Sequence, residues 1–294
     1  MSFSSDIKAE TGKLKPAGCC QYAELYGILL LSRTFCNADI FYSSPIEEVA
    51  ERCRSLIKGI YGFRPELLKD RGNWALKAGI LEVAKVYTDF ITTEYITDAF
   101  GCQNCLSAFA RGAFLSAGTA TDPQKDFHLE IKTPSEPVAI SMQSIFSSAG
   151  MNAHLSHRQK NYLVYFKGSS SVSDFLAFIG ASKTALTVID CSVEREMRGM
   201  VNRRRNCETA NIGKTVDAVI RQTHAIETLK KSGRLYLLSD ELQTAARLRT
   251  ENPELSLGEL SKICNISRSG LNHRFQRLIT LAAEETQTAK ETLK

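Results

Sequence analysis

Residues 256–278, SLGELSKICNISRSGLNHRFQRL, carry the pattern that decides the fold of the C-terminal region. Ser256 and Glu259 form an S-x-x-E capping box, which predicts that a helix begins there. The apolar stripe of this helix is predicted to consist of Leu257, Leu260 and Ile263. A short polar turn at residues 265–267 then predicts the end of the helix.

A second helix is predicted after this turn, with Ser267 as its N-cap. Leu271, Phe275 and Leu278 recur at spacings of four and three, which places them on one helical face. The other faces contain no acid and carry Arg268, Ser269, Asn272, His273, Arg274 and Arg277. Two short helices with a polar, basic second helix are typical of a helix-turn-helix. The alternative is an ordinary helical hairpin with a solvated basic face.

Basic charge is concentrated next to this motif. Residues 1–197 contain 20 Lys and Arg against 21 Asp and Glu, whereas residues 198–234 contain nine against three. Residues 235–294 balance at eight and eight. The excess is therefore a local patch that suits phosphate, and not a property of the whole chain.

The length and composition of the chain are typical of an ordinary globular protein. With 294 residues, one large or two modest domains are expected. No apolar run reaches the roughly 18 residues of a membrane span, and residues 1–15 lack the apolar core of a secretory signal. The nine cysteines have scattered spacings, which favours reduced thiols in the cytoplasm.

Element order repeats within the first 180 residues. An apolar helix with a central glycine is followed by a strand, a helix, two strands and a helix, in lobes at about 18–91 and 102–180. Gly27 and Gly112 lie 85 residues apart, as do Cys20 and Cys105. Because a glycine in mid-helix costs about 1 kcal/mol relative to alanine, its recurrence predicts a close contact between the two first helices. Two α/β lobes with a saddle-like sheet surface are expected.

The two first helices resemble the LAGLIDADG motif of homing endonucleases. The first copy is LYGILLLSRTF at residues 25–35, and the weaker second copy is ARGAFLSAGTA at residues 110–120. The resemblance implies that the catalytic metal would be held at Ser32 and Ala117, where the family has acids. A hydroxyl and a methyl group cannot replace the carboxylates that Mg²⁺ requires. Asp122 has no acidic counterpart in the first copy, so no catalytic residue and no metal cofactor are expected.

The whole chain is identified as resembling the WhiA family. The resemblance depends on five stretches: MSFSSDIKAE at the start, the Cys19-Cys20 pair, ARGAF at 110–114, NCETAN at 206–211 and SRSGLNHR at 267–274. It implies an α+β fold, with a duplicated LAGLIDADG-like domain followed by an all-α helix-turn-helix domain. It also implies a bacterial DNA-binding regulator tied to cell division, chromosome segregation and sporulation. The expected domains are 1–200, a basic helical connector at 201–236, and the helix-turn-helix domain at 237–294.

Residues in the second half supply the predicted DNA contacts. Those in and near the helix-turn-helix are Ser256, Ser267, Arg268, Ser269, Asn272, His273, Arg274 and Arg277. Ser269, Asn272, His273 and Arg274 are expected to reach base edges or nearby phosphates, and Arg268 and Arg277 are expected to contact phosphates. Arg203, Arg204 and Arg205 in the connector could contact phosphates, remain solvated or pair with acids. A break in this connector helix is expected near residues 211–213.

Four cysteines near the starts of the two first helices leave three interpretations open. Cys19-Cys20 precedes one helix, and Cys102-x-x-Cys105 precedes the other. They could be small buried core residues, a zinc site or a redox pair, and burial in the core is the favoured prediction.

The sequence thus predicts a non-enzymatic regulator, cytoplasmic and nucleoid-associated, whose partner is double-stranded DNA. RNA polymerase, a sigma factor or another regulator are candidate protein partners, and no membrane contact or cofactor is expected. Two alternatives of other classes are a metal-dependent endonuclease and a protein-interaction module of the transcription machinery.

Overall fold

The computed structural model describes residues 2–16, 18–158 and 161–292, with side chains up to residue 287. The chain divides into two units, Met1–Glu196 and Met197–Lys294. The helices of the first unit are α1 (Phe3–Thr11), α2 (Cys19–Leu30), α3 (Glu47–Tyr61), α4 (Ile80–Thr92), α5 (Cys105–Ala117), α6 (Glu136–Ser148) and α7 (Ser169–Phe178). Its strands are β1 (Ile40–Ser44), β2 (Glu66–Asp70), β3 (Asn73–Lys77), β4 (Gly118–Ala120), β5 (His128–Thr133), β6 (His154–Arg158) and β7 (Asn161–Lys167). The remaining helices are α8 (Ser182–Lys231), α9 (Asp240–Glu251), α10 (Leu257–Ile263) and α11 (Arg268–Thr292).

Two antiparallel sheets form the two lobes of the first unit. The first sheet has the order β1-β3-β2, and the second has the order β4-β5-β7-β6. Burial alternates along β5, where Leu129 and Ile131 are buried and Glu130 is not, because one face of the strand meets helices. The predicted repeat of helix, strand, helix, two strands and helix is confirmed, and β4 is an added edge strand of the second lobe.

Helices α2 and α5 pack directly against each other at the predicted glycines. A Cβ at Gly27 would collide with the carbonyl oxygen of Phe109, and a Cβ at Gly112 would collide with that of Glu24. Because the obstacles are backbone atoms, neither helix can make room by a change of side-chain rotamer. The predicted close contact between the first helices of the two lobes is confirmed.

A fully buried carboxylate lies beside this contact. Glu24 on α2 has no exposed side-chain surface and accepts hydrogen bonds from Arg52 at 2.6 and 3.0 Å. Arg111 on α5 donates to the same carboxylate at 3.0 Å and to the carbonyl oxygen of Ile179 at 3.1 Å. The two guanidinium groups supply the partners that a buried charge requires. This cluster therefore connects α2, α3 and α5 inside the first unit.

Two local features differ from the sequence predictions, and a third was not predicted. Helix α2 ends at Leu30 and not at 35, because the chain turns where the Ser32 and Thr34 hydroxyls pair and Thr34 bonds to the Ser43 backbone. The polar N-terminus forms α1, whose Ile7 is fully buried. The expected break at 211–213 is wrong, because α8 continues through it and the backbone of one glycine does not interrupt a helix.

The second unit has its own core around α9, α10 and α11. Leu260, Leu271, Phe275 and Leu278 are buried there together with Ala225, Ile226 and Leu229 from α8. Residues before 237 therefore supply part of the core that supports the helix-turn-helix. Among the described residues, no helix is both long enough and apolar enough to cross a membrane.

Candidate nucleic-acid interface

The start of α10 forms as the capping box predicts. The Ser256 hydroxyl accepts a hydrogen bond from the Glu259 N–H at 3.3 Å, and the Ser256 N–H donates to the Glu259 carboxylate at 2.8 Å. Hydrogen bonding to the carboxylate by the Ser256 side chain, and then by the Ser256 backbone N–H, lowers the pKa of Glu259. The carboxylate therefore stays charged at neutral pH and holds the first turn of α10.

A tight turn joins α10 to α11. Asn265 adopts a left-handed conformation with φ 53°, which asparagine tolerates better than most residues. The Ser267 hydroxyl accepts from the Gly270 N–H at 3.1 Å, so Ser267 caps α11 as predicted. Ile266 packs against the core from within the turn. By contrast, Ile263 was predicted to belong to the apolar stripe of α10 and is 58% exposed, so that prediction is wrong.

Buried Arg249 fixes the loop that enters α10. Its guanidinium donates to Gln222 of α8 at 2.9 Å and to the carbonyl oxygen of Leu255 at 2.7 Å. It also lies over the Phe275 ring of α11, 5.3 Å from the ring centre. The Arg249 side chain of α9 thus connects α8 and α11 to Leu255, the residue before Ser256. These contacts fix the position of α10 relative to α11.

The exposed face of α11 brings most of the predicted contacts together. Leu271, Phe275 and Leu278 are buried, which turns the other side of the helix to solvent. The first turns of that exposed side carry Arg268, Ser269, Asn272, His273 and Arg277. Base-reading helices use their N-terminal turns in the same way, with polar side chains that project away from the supporting core.

Arg274 is held differently from the other predicted contacts. Its side chain is 21% exposed, and its guanidinium pairs with Glu241 of α9 at 3.3 Å. Arg274 would have to leave this ion pair to reach a base. The sequence offered no means of seeing the pair, because Glu241 lies 33 residues away and on another helix.

Gln276 is an exposed residue on α11 that the sequence reasoning missed. It follows Asn272 by four residues and His273 by three, so these three side chains are neighbours on the helix surface. A glutamine can form a bidentate bond with adenine, as an asparagine can. The helical spacing from Asn272 could have identified it.

The connector arginines lie on a helix that is exposed on every side. All residues from 201 to 214 of α8 are exposed, including Arg203, Arg204 and Arg205. Arg204 pairs with Glu208 at 3.1 Å, and both side chains are more than half exposed. Such pairs contribute little to stability, so the guanidinium groups could exchange Glu208 or water for a phosphate.

The ends of the two motif helices border a cleft. The residues that line this cleft include Ser32, Arg33, Ala117 and Lys132, and none of the described lining residues is an acid. Asp122 is exposed and accepts a hydrogen bond from the Gln124 N–H at 2.9 Å, as in a loop turn. The described lining of the cleft is therefore basic and polar, without the carboxylates that the resemblance to the LAGLIDADG motif would imply for a metal site.

The cysteines do not all lie in the core as predicted. Cys105 is buried, Cys20 is half-buried, and Cys19 and Cys102 are exposed. Burial in the core therefore describes only Cys105 fully, and it is wrong for Cys19 and Cys102.

Comparison with known proteins agrees with both halves of the chain. The model of the WhiA LAGLIDADG-like domain matches residues 106–198, and that of the WhiA C-terminal HTH domain matches residues 201–282. A protein of Oceanobacillus iheyensis named "Probable cell division protein WhiA" is 33% identical over 301 residues, which are 95% of this chain and 96% of that protein. A protein of the same name from Alkaliphilus metalliredigens is 33% identical over 315 residues, with 97% and 98% covered.

A solved structure matches the full chain as well. It is described as "full-length DUF199/WhiA from Thermatoga maritima", is 25% identical, and superposes with a TM-score of 0.60 over 97% of this chain and 99% of that one. The fold and the C-terminal motif define a helix-turn-helix protein with a LAGLIDADG-like domain, which is the architecture of a DNA-binding regulator. The chain belongs to the WhiA family.

Proposed function

We propose that this protein is a sequence-specific transcriptional regulator that binds double-stranded DNA with α11 in the major groove and does not cleave it. The observation that carries the proposal is the exposed polar face of α11, opposite a fully buried Leu271–Phe275–Leu278 stripe. Ser269, Asn272 and His273 are the proposed base contacts, with Gln276 added from the structure. Arg268 and Arg277 are the proposed phosphate contacts, and Arg274 supports the helix through Glu241.

The charge distribution also supports DNA binding by the second unit. Residues 198–294 contain 17 Lys and Arg against 11 Asp and Glu, whereas residues 1–197 are nearly balanced. Because phosphate attraction supplies most non-specific DNA affinity, the second unit is the better candidate for the main DNA surface. Arg203, Arg204 and Arg205 extend that surface along α8 as further proposed phosphate contacts. The lobed unit then offers a docking surface for DNA or protein.

The names of the relatives support a proposal for the cellular role. Proteins with more than 30% identity over nearly the whole chain are named probable cell division proteins. We accordingly propose a role in cell division, with chromosome segregation and sporulation as related processes and with the nucleoid as the site of action. RNA polymerase, a sigma factor or another regulator remain the proposed protein partners.

Incubation of the full-length protein with supercoiled plasmid and Mg²⁺ tests the two parts of this proposal together. The expected result is retardation of the plasmid on a gel without nicking or linearisation, because Ser32 and Ala117 cannot hold the metal. Retardation should weaken steeply as salt rises.

An Asp122→Asn variant serves as the control for residual cleavage. Nicking by the parent protein that disappears in this variant would contradict the proposal that the protein does not cleave DNA. A plasmid that is neither retarded nor cleaved would instead favour a module that contacts the transcription machinery. Both results are distinguishable on one gel.

A further inference from the structure

The sulfur atoms of Cys19, Cys20, Cys102 and Cys105 all lie within 4.8 Å of one another. Four of the six sulfur–sulfur distances are 3.4 Å for Cys19–Cys105, 3.5 Å for Cys20–Cys102, 3.6 Å for Cys102–Cys105 and 3.9 Å for Cys20–Cys105. Four thiolates at about 2.3 Å from one zinc ion lie roughly 3.8 Å apart at the corners of a tetrahedron. The four sulfurs therefore already have the spacing of a closed tetrathiolate site.

The backbone holds these cysteines together from both lobes. Cys19 and Cys20 are the first two residues of α2. Cys105 is the first residue of α5, and Cys102 lies three residues before it. The two helices are fixed side by side by the Gly27 and Gly112 contact, so their starts meet at one place.

Two glycines permit this approach. Gly18 has φ 53° and ψ −133°, a conformation that only glycine adopts readily, and it directs the chain into Cys19. A Cβ at Gly101 would lie 2.8 Å from the Cβ of Cys19, so any larger residue would push the Cys102 loop away. The loop before α5 therefore closes on Cys19 because residue 101 has no side chain.

The exposure of these cysteines favours a metal site over packing in an apolar core. Cys19 and Cys102 are exposed and Cys20 is half-buried, although free cysteines prefer burial when their only role is packing. All four are present as free thiols and not as disulfides. An iron–sulfur cluster also uses four cysteines, but it places irons and sulfides between them and therefore needs wider spacing than a single ion.

We propose that Cys19, Cys20, Cys102 and Cys105 bind one zinc ion that joins the two lobes. Zinc suits the site because it prefers four soft thiolate ligands in tetrahedral geometry. Binding displaces the thiol protons to solvent. The ion connects residues about 85 positions apart in the sequence, so it stabilises the pairing of the repeats from one end, while Gly27 and Gly112 fix the middle.

Elemental analysis of the full-length protein, purified under reducing conditions without chelator, tests the proposal. About one zinc per chain is expected in the parent protein. Cys102→Ser and Cys20→Ser should lose that zinc, whereas Cys207→Ser should retain it, because Cys207 is exposed on α8 and lies outside the cluster. Removal of zinc from the parent with a strong chelator should lower the melting temperature of the first unit, which Trp74 fluorescence reports.

Cobalt(II) provides a readout that does not depend on the folding of a variant. Addition of cobalt chloride to the chelator-treated parent should give the intense visible absorption of a tetrahedral cobalt–thiolate centre. The proposal is overturned if the parent carries no zinc and gives no cobalt spectrum. It is equally overturned if mass spectrometry finds a disulfide among these cysteines, if the protein contains an iron–sulfur chromophore, or if Cys207→Ser loses the metal too.

Discussion

Replacement of Glu24 by alanine is expected to lower the free energy of unfolding of the first unit by about 3–5 kcal/mol. The Glu24 carboxylate is fully buried and accepts hydrogen bonds from both Arg52 and Arg111. Its removal leaves two buried guanidinium groups without their counter-charge, and a buried unpaired charge is one of the most costly defects in a protein. The measurement is denaturant unfolding followed by the fluorescence of Trp74, the single tryptophan, which lies in β3.

Glu51→Ala provides the matched control for Glu24→Ala. Glu51 also accepts from two arginines, Arg54 and Arg64, each at 2.9 Å, but its side chain is 38% exposed. Water can replace Glu51 as a partner of these arginines, so a loss of at most about 1 kcal/mol is expected. Equal unfolding midpoints for the Glu24 and Glu51 variants would contradict the conclusion that the buried Glu24 cluster stabilises the first unit.

Replacement of Gly112 by valine is expected to cost about 3 kcal/mol, at the upper end of the range for overpacked sites. A Cβ at this position meets the backbone of Glu24 and Ile28 on α2, so the two helices must move apart. Gly112→Ala should destabilise as well, although alanine normally favours a helix. Thermal unfolding by circular dichroism or calorimetry measures both changes.

Gly213→Ala is the comparison for these glycine variants. Gly213 lies within α8, and a Cβ there would meet no atom within 4 Å. The gain in helix propensity should therefore appear without a clash, and the α8 variant should be as stable as the parent or more stable. An unchanged melt for Gly112→Val would refute close packing of α2 on α5.

Local patterns in the sequence predicted the repeat, the motif helices and the cap residues of the C-terminal motif. Each of these depends on neighbours within one or two helical turns, as with Ser256 and Glu259. The same reasoning missed the pairing of Glu24 with Arg111 and of Arg274 with Glu241, because those contacts join distant parts of the chain. Periodicity also misplaced Ile263, since a seven-residue helix has room for few buried positions.

The burial of the cysteines also could not be predicted from local sequence patterns. The sequence placed Cys19, Cys20, Cys102 and Cys105 near two helix starts but could not decide how deeply each is buried. Their exposure depends on where the Gly101 loop closes against Cys19, which is a tertiary contact. The favoured prediction of core packing therefore fails for Cys19 and Cys102, which are exposed in a cluster of four sulfur atoms.

Reading of DNA by α11 is tested most directly by a binding titration of three full-length proteins at two salt concentrations. The parent, Asn272→Ala and Arg277→Ala are each titrated with a duplex selected by the parent from a random pool and with an unselected duplex. Asn272→Ala should lose about 1–3 kcal/mol on the selected duplex and little on the other. Arg277→Ala should weaken both duplexes alike and reduce the salt slope by about one unit.

Thr244→Ala and Lys85→Ala are the controls, because both residues are exposed and neither belongs to the proposed DNA contacts. Both should bind like the parent, apart from a small uniform effect of the lost lysine charge. If Asn272→Ala weakens binding mainly to the selected duplex and Arg277→Ala weakens binding to both duplexes alike, α11 is the base-reading helix. If both variants match the parent on both duplexes, α11 does not read DNA, and the Arg203–Arg205 segment of α8 becomes the surface to test.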